Sequence, residues 1–199
     1  MIINNRLREL RATKKQNMLT GKNIILQTIR KENLSAMHDL MNDATEKGDF
    51  CNQRLWSMPD LEKKFNDNYF WNDDNGLMLL IDRKDYRLLG TIGFFKESTY
   101  VEGYEISYQL YKKIDRGKGI MPEALKLIVS YLFQVKPIPR LQIKTDVKNI
   151  QSQRVAEKCG FKYEGTLRSA VFHKGWSDLK LFSLIREEAE IIEFNVSAE

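Results

Sequence analysis

Cysteine and histidine are scarce: the 199 residues hold two of each, Cys51 and Cys159, His38 and His173. Two cysteines without motif spacing give no disulfide framework and suit a reducing compartment, so a cytoplasmic protein is expected. So few thiol and imidazole ligands argue against zinc and most transition-metal chemistry, and no metal is expected. Long apolar runs are also missing. No stretch approaches the roughly 18 apolar residues that mark a membrane-spanning helix. The opening segment, MIINNRLRELRATKKQN, lacks the apolar core of a secretory signal. There is no internal repeat and no low-complexity tract.

What is present suits one α/β domain. Hydrophobic residues make up 42% and charged residues 30% of the chain, enough for one sizeable core. The net charge of +5 fits either a mildly basic surface or attraction for an anionic ligand, a phosphorylated cofactor or RNA. Composition alone favours the first. Residues 1–17 hold Arg6, Arg8, Arg11, Lys14 and Lys15 against Glu9, a local charge of +4. They read as a basic arm, followed by a domain over residues 18–188 and a tail over 189–199.

Periodicity gives the elements. Strands are predicted over 24–29, 77–81, 88–95, 104–110, 141–147, 162–172 and 177–185. Leu34, Met37 and Met41 share one face of a helix over 33–42, and a second helix is predicted from about Pro59. A longer helix, to Phe133, shows an apolar stripe at Met121, Leu125, Ile128 and Leu132. A short one spans 152–159, with Gly160 just past its end. The order β-α-α-β-β-β-α-β-α-β-β implies a mixed sheet covered by helices.

The most informative stretch is the turn Arg116-Gly117-Lys118-Gly119-Ile120-Met121, between a strand and the long helix. Helix starts present unpartnered backbone N–H groups and a positive dipole end, which attract phosphate. Glycines let a pyrophosphate approach the backbone, and Arg116 and Lys118 add charge. An ordinary strand-to-helix turn would use the same glycines. A Walker loop is excluded by its missing Gly-Lys-Ser/Thr, and a dinucleotide fingerprint by Pro122 where a third glycine belongs.

Arg116-x-x-Gly119-x-Met121 resembles the Arg/Gln-x-x-Gly-x-Gly/Ala motif of the GNAT family of N-acetyltransferases. Three further blocks resemble the same family in the same order. They are Leu89-Gly90-Thr91-Ile92-Gly93; Tyr104-Glu105-Ile106-Ser107-Tyr108; and Asn149-x-x-Ser152-x-Arg154-Val155-x-Glu157-Lys158-x-Gly160-Phe161, which Glu164-Gly165-x-Leu167-Arg168 follows. The branch resembled is that of the ribosomal-protein-alanine N-acetyltransferases, over residues 18–188. Met121 departs from the motif, and is expected to point into the core. Pro122 departs too, where the family often has Ser or Thr, and removes one donor.

The resemblance implies a mostly antiparallel sheet flanked by helices, with one parallel strand pair splayed around acetyl-coenzyme A. Backbone of Gln109, Leu110 and Tyr111 would meet the pantetheine arm. Arg116, Gly117, Lys118, Gly119, Ile120 and Met121 would hold the pyrophosphate, and Asn149 and Arg154 would lie along the cofactor. Arg154 could equally be a solvated helix charge. Glu105 matches the family's acidic position and could take the amine proton. The matching position for the family's helical Tyr is Ala156, so Ser152 becomes the candidate to protonate the thiolate. It could equally be a helix N-cap.

Trp56, Tyr69, Phe70 and Trp71 could shape the acceptor pocket or pack the core, and His173 and Trp176 are expected in a turn. The expected acceptor is a primary amine, above all a protein N-terminal α-amine, which is far more readily free base than a lysine amine; a ribosomal protein is the acceptor that the resemblance implies, with weak RNA contact through the arm. A small-amine acetyltransferase, or a non-catalytic acetyl-CoA-binding or RNA-associated factor, are the alternatives.

Overall fold

The structure, a computed structural model, describes residues 18–51, 53–67, 70–96, 100–172 and 175–193. Eight strands form one sheet: β1 Met18–Thr20, β2 Ile24–Thr28, β3 Asn75–Asp82, β4 Leu88–Phe95, β5 Tyr104–Leu110, β6 Arg140–Asp146, β7 Lys162–Phe172 and β8 Trp176–Ile185. Four α-helices accompany them: α1 Leu34–Asn42, α2 Met58–Asn66, α3 Ile120–Val135 and α4 Ile150–Lys158. The order expected from sequence holds, with one addition. The short strand β1 pairs with β2 through Met18↔Gln27.

The sheet order is β1-β2-β3-β4-β5-β6-β8-β7. Every neighbouring pair is antiparallel except β5 and β6. Alternation along the strands sends Ile24, Leu26, Met78, Leu80, Ile92, Phe94, Ile106, Leu141, Ile143 and Phe182 to one face, into the main core with α3 and α4. Ile25, Leu79 and Ile81 face the other way and pack on Met37 of α1. The sheet is therefore a middle layer, which explains why β3 and β4 read as near-continuous apolar runs.

Gly90, in the middle of β4, is a packing requirement. A Cβ there would lie 2.0 Å from the Gln109 carbonyl oxygen of β5. Helix α2 starts as its sequence suggests: Ser57 caps the Asp60 N–H at 3.2 Å, and Pro59 sits in the first turn. Trp71 belongs to the core, edge-on to Phe94 at 5.6 Å. Trp56 is sandwiched by cations, with Arg54 at 4.7 Å and Lys64 at 4.1 Å from its ring. Tyr69, His173 and the basic arm lie outside the described residues.

The predicted tail is partly anchored. Ile192 donates its N–H to Ser130 Oγ at 2.9 Å, and Gln134 donates to the Ile192 carbonyl at 2.7 Å. Residues 189–193 thus return onto α3 rather than leaving the domain.

Candidate functional site

β5 and β6 pair in parallel only at Tyr104↔Leu141 and Glu105↔Gln142. Beyond these two pairs the strands part, although both continue. Each strand is claimed on its outer side: β5 by β4 as far as Gly90↔Leu110, and β6 by β8 as far as Asp146↔Leu179. The parting leaves one edge of β5 without a ladder partner. Tyr111 donates its N–H to the Leu89 carbonyl at 2.9 Å. Bonded groups alternate along an antiparallel ladder. Gln109 and Tyr111 therefore turn their backbone groups to β4, while Tyr108 and Leu110 turn theirs to the gap. The expectation for Gln109–Tyr111 is corrected accordingly: the free backbone edge belongs to Tyr108 and Leu110.

A cleft of about 470 Å³ opens there. Its floor is Tyr108, Gln109 and Leu110, one end is the turn Asp115–Pro122 without Lys118, and one wall is α4, through Asn149, Ser152, Arg154, Val155 and Lys158. Gly48, Phe50 and Cys51, from the loop after α1, form the remaining wall. That loop is latched to the turn. Glu46 accepts from the Lys113 N–H at 2.7 Å, and Arg116 donates to the Glu46 carbonyl at 2.7 Å.

The turn is shaped to receive an anion. Gly117 and Gly119 take φ of 77° and 79°, and no protein atom lies within 4 Å of where a Cβ would stand on either. Gly119 caps α3 without any side-chain bond, so the N–H groups of Ile120 and Met121 remain available to a ligand. Met121 points into the core, as expected, and its place in the motif is a backbone one. An open, basic-rimmed cradle beside an unpaired strand edge fits an extended ligand with a pyrophosphate at one end and amides at the other. Coenzyme A is such a ligand.

Two expected binding residues are absent from the cleft. Lys118 does not line it, and its charge acts only at the rim. Tyr111 is buried and lines a smaller hollow behind, with Trp56 and Met41.

Ser152 faces the cleft, but it is not the cap of α4. Asn149 is: its Oδ1 accepts from the Ser152 N–H at 3.1 Å. The helix begins two residues earlier than its apolar pattern suggested. Ser152 Oγ instead meets the Tyr108 hydroxyl at 2.9 Å. Burial pushes that hydroxyl up to about 12.

Glu105 stands apart from the cleft. It sits where the strands still pair, on the face opposite the main core, with Lys144 Nζ at 3.2 Å and Gln142 Nε2 at 3.5 Å. Asp115 is the one carboxylate among the described cleft residues. Arg87 binds it and holds it below the usual carboxylate range. Burial pushes the Cys159 thiol, beneath the turn, up to about 11. Tyr108 and the Gly48–Cys51 wall escaped sequence reasoning. Tyr108 closed the block Tyr104–Tyr108 without a role assigned to it, and nothing local links residue 48 to residue 116.

The sequence model of the family described as "Acetyltransferase (GNAT) domain" matches residues 23–162. The ribosomal-protein-serine acetyltransferase of Escherichia coli is 33% identical over 54% of this chain and 60% of its own length. The chain spans 59% and 60% of the length of two such curated relatives, and 95% of a third, the SPbeta prophage-derived uncharacterized N-acetyltransferase YokL of Bacillus subtilis, at 28% identity. Among solved structures, the ribosomal L7/L12 alpha-N-protein acetyltransferase RimL with coenzyme A superposes with a TM-score of 0.75 at 20% identity, covering 85% of this chain and 98% of that one. Spermidine N-acetyltransferase from Vibrio cholerae superposes with a TM-score of 0.73 at 18% identity, covering 84% and 98%. At such identities these two likenesses speak for the fold.

Proposed function

This chain belongs to the acetyltransferase (GNAT) family, and from that premise we propose that it moves an acetyl group from acetyl-CoA onto a protein N-terminal α-amine. The observation that carries the reading is the parting of β5 from β6 beside the Gly117–Gly119 cradle. When bound, acetyl-CoA supplies a thioester carbonyl open to attack. The Arg116 side chain and the N–H groups at the start of α3 hold its pyrophosphate, with Asn149 and Arg154 alongside. The backbone groups of Tyr108 and Leu110 hold the pantetheine amides as a neighbouring strand would. A backbone N–H on the same edge is a fixed donor for the carbonyl oxygen as it gains charge.

The proposed class of amine is supported by the ionisable groups among the described cleft residues. Only the free base attacks. At pH 7.5 an α-amine of pKa about 8 is roughly a quarter free base, and a lysine-like amine of pKa about 10.4 roughly one part in a thousand. The sole carboxylate among the described cleft residues is locked to Arg87, so strong deprotonating power is not built into the cleft. An α-amine needs little. Glu105, on the face of β5 opposite the main core and beside Lys144, is the proposed local proton acceptor. The likeness to ribosomal-protein acetyltransferases makes a ribosomal protein the proposed acceptor, in the cytoplasm.

The test offers acetyl-CoA with peptides bearing free N-terminal serine or alanine, their N-blocked lysine-containing counterparts, and spermidine, and follows thiol release. Preference for the free α-amine, with a rate rising through about pH 8, supports the reading. Preference for spermidine replaces it with polyamine acetylation. No thiol release with any amine leaves a binding protein.

A further inference from the structure

With its N–H engaged by the Asn149 cap, Ser152 holds its hydroxyl free of capping duty. Alternation along β5 sends Tyr108 to the α4 side of the sheet, where its one hydroxyl proton has two acceptors: Ser152 Oγ at 2.9 Å, a contact in which either oxygen can donate, and the Ser152 carbonyl oxygen, which only accepts, at the longer 3.3 Å. Both residues line the cleft at the parted end of β5. A phenol raised to about 12 stays protonated across the working range. The Tyr108 hydroxyl is therefore present as a hydrogen-bond donor throughout that range.

Resting on the acetyl-CoA reading, we propose that Tyr108 is a positioning residue: it donates to Ser152 Oγ and so turns the Ser152 O–H into the cleft, as the hydrogen-bond donor to the coenzyme A sulfur. A serine hydroxyl has one proton. With the Tyr108 proton on its oxygen, its own proton is left for another acceptor, and Ser152 lines the cleft. As the C–N bond forms, the C–S bond breaks and leaves its electron pair on sulfur. The amine gives up one proton and the thiolate takes one up from solvent. Ser152 lends a hydrogen bond throughout and ends unchanged. Ala156, which is fully buried, offers no hydroxyl, and the strand tyrosine acting through the helix serine supplies a hydrogen bond in its place without transferring a proton.

The test needs no acceptor. Wild type, Tyr108→Phe, Ser152→Ala, the double variant and Ser152→Thr are loaded with coenzyme A, and the far-ultraviolet absorbance of the bound thiolate is titrated against pH. A donor aimed at sulfur favours the thiolate. The bound thiol should therefore titrate lowest in wild type and rise by about 1–2 pKa units in Tyr108→Phe and in Ser152→Ala. The double variant should rise no further, and Ser152→Thr should stay near wild type. Tyr108→Phe keeps the ring, so its melting temperature should stay close to wild type. A Tyr108→Phe titration identical to wild type overturns the proposal, as does a rise that adds to that of Ser152→Ala. If calorimetry finds no coenzyme A bound to wild type, the cofactor reading itself has failed, and this inference falls with it.

Discussion

Arg87 and Asp115 form a two-pronged ion pair, Nη1 to Oδ2 at 2.7 Å and Nη2 to Oδ1 at 2.8 Å. Arg87 comes from the β3–β4 turn. Asp115 is 2% exposed and immediately precedes the glycine cradle. The pair ties the mouth of the cleft to the β3–β4 turn. Removing Arg87, itself 40% exposed, takes the partner from a buried carboxylate and should cost somewhat less than the roughly 3–5 kcal/mol of a fully buried pair. Asp115→Asn keeps a polar partner and should cost less, about 1–3 kcal/mol. Denaturant unfolding of Arg87→Ala and Asp115→Asn checks the order. The pH sense is fixed too. Arg87 depresses the Asp115 carboxyl in the fold, so its stabilisation is complete above the unfolded value of about 3.9 and is lost as pH falls below that. Wild type should lose stability below about pH 4 more steeply than Asp115→Asn.

Gly119→Val should weaken coenzyme A binding by at least about tenfold. A side chain at φ 79° is strained by roughly 1–3 kcal/mol, and its Cβ fills the open cradle. Calorimetric titration with coenzyme A reads this directly. An affinity equal to wild type would move the pyrophosphate elsewhere.

Asn149→Ala and Ser152→Ala should separate two roles that sequence left merged. Loss of the Asn149 cap should cost about 0.5–2 kcal/mol of stability. Ser152→Ala should leave the melting temperature nearly unchanged while lowering turnover. A larger stability loss for Ser152→Ala would return the capping role to serine.

Glu105→Gln should lower kcat by about 10²–10⁴ if Glu105 accepts the amine proton, with acetyl-CoA affinity unchanged. Lys144→Met removes the cation beside it and should shift the pH profile without abolishing turnover. A Glu105→Gln profile matching wild type from pH 6 to 9 would leave positioning as the source of rate.

Deletion of residues 1–17 tests the proposed RNA contact of the arm. Five cations against one anion should give weak ribosome association that fades steeply with salt, and the deletion should abolish it while sparing coenzyme A binding. Equal association by the truncated chain would dismiss that role.

Sequence alone determined most of the elements, though not β1, and the place of the glycine turn. The stripe from Met121 to Leu132 could only be a helix with one buried face, and Gly117 and Gly119 before it marked a turn that side chains would obstruct. These features are local, because periodicity and backbone freedom are properties of neighbouring residues. Four ordered blocks then carried the family resemblance. Only the tertiary structure decided which residues share the cleft. The parting of β5 from β6 depends on what each strand pairs with on its far side. The latch from Glu46 to Lys113, the Arg87–Asp115 pair and the meeting of Tyr108 with Ser152 join residues 67, 28 and 44 positions apart. Sequence reading assigned Ser152 a possible cap because serine is a good one, but Asn149 holds that place once the helix start is fixed in space. Glu105 likewise matched a motif. Its distance from the cleft and its bond to Lys144 depend on the strand register with β6, which pairwise packing sets and no single segment encodes.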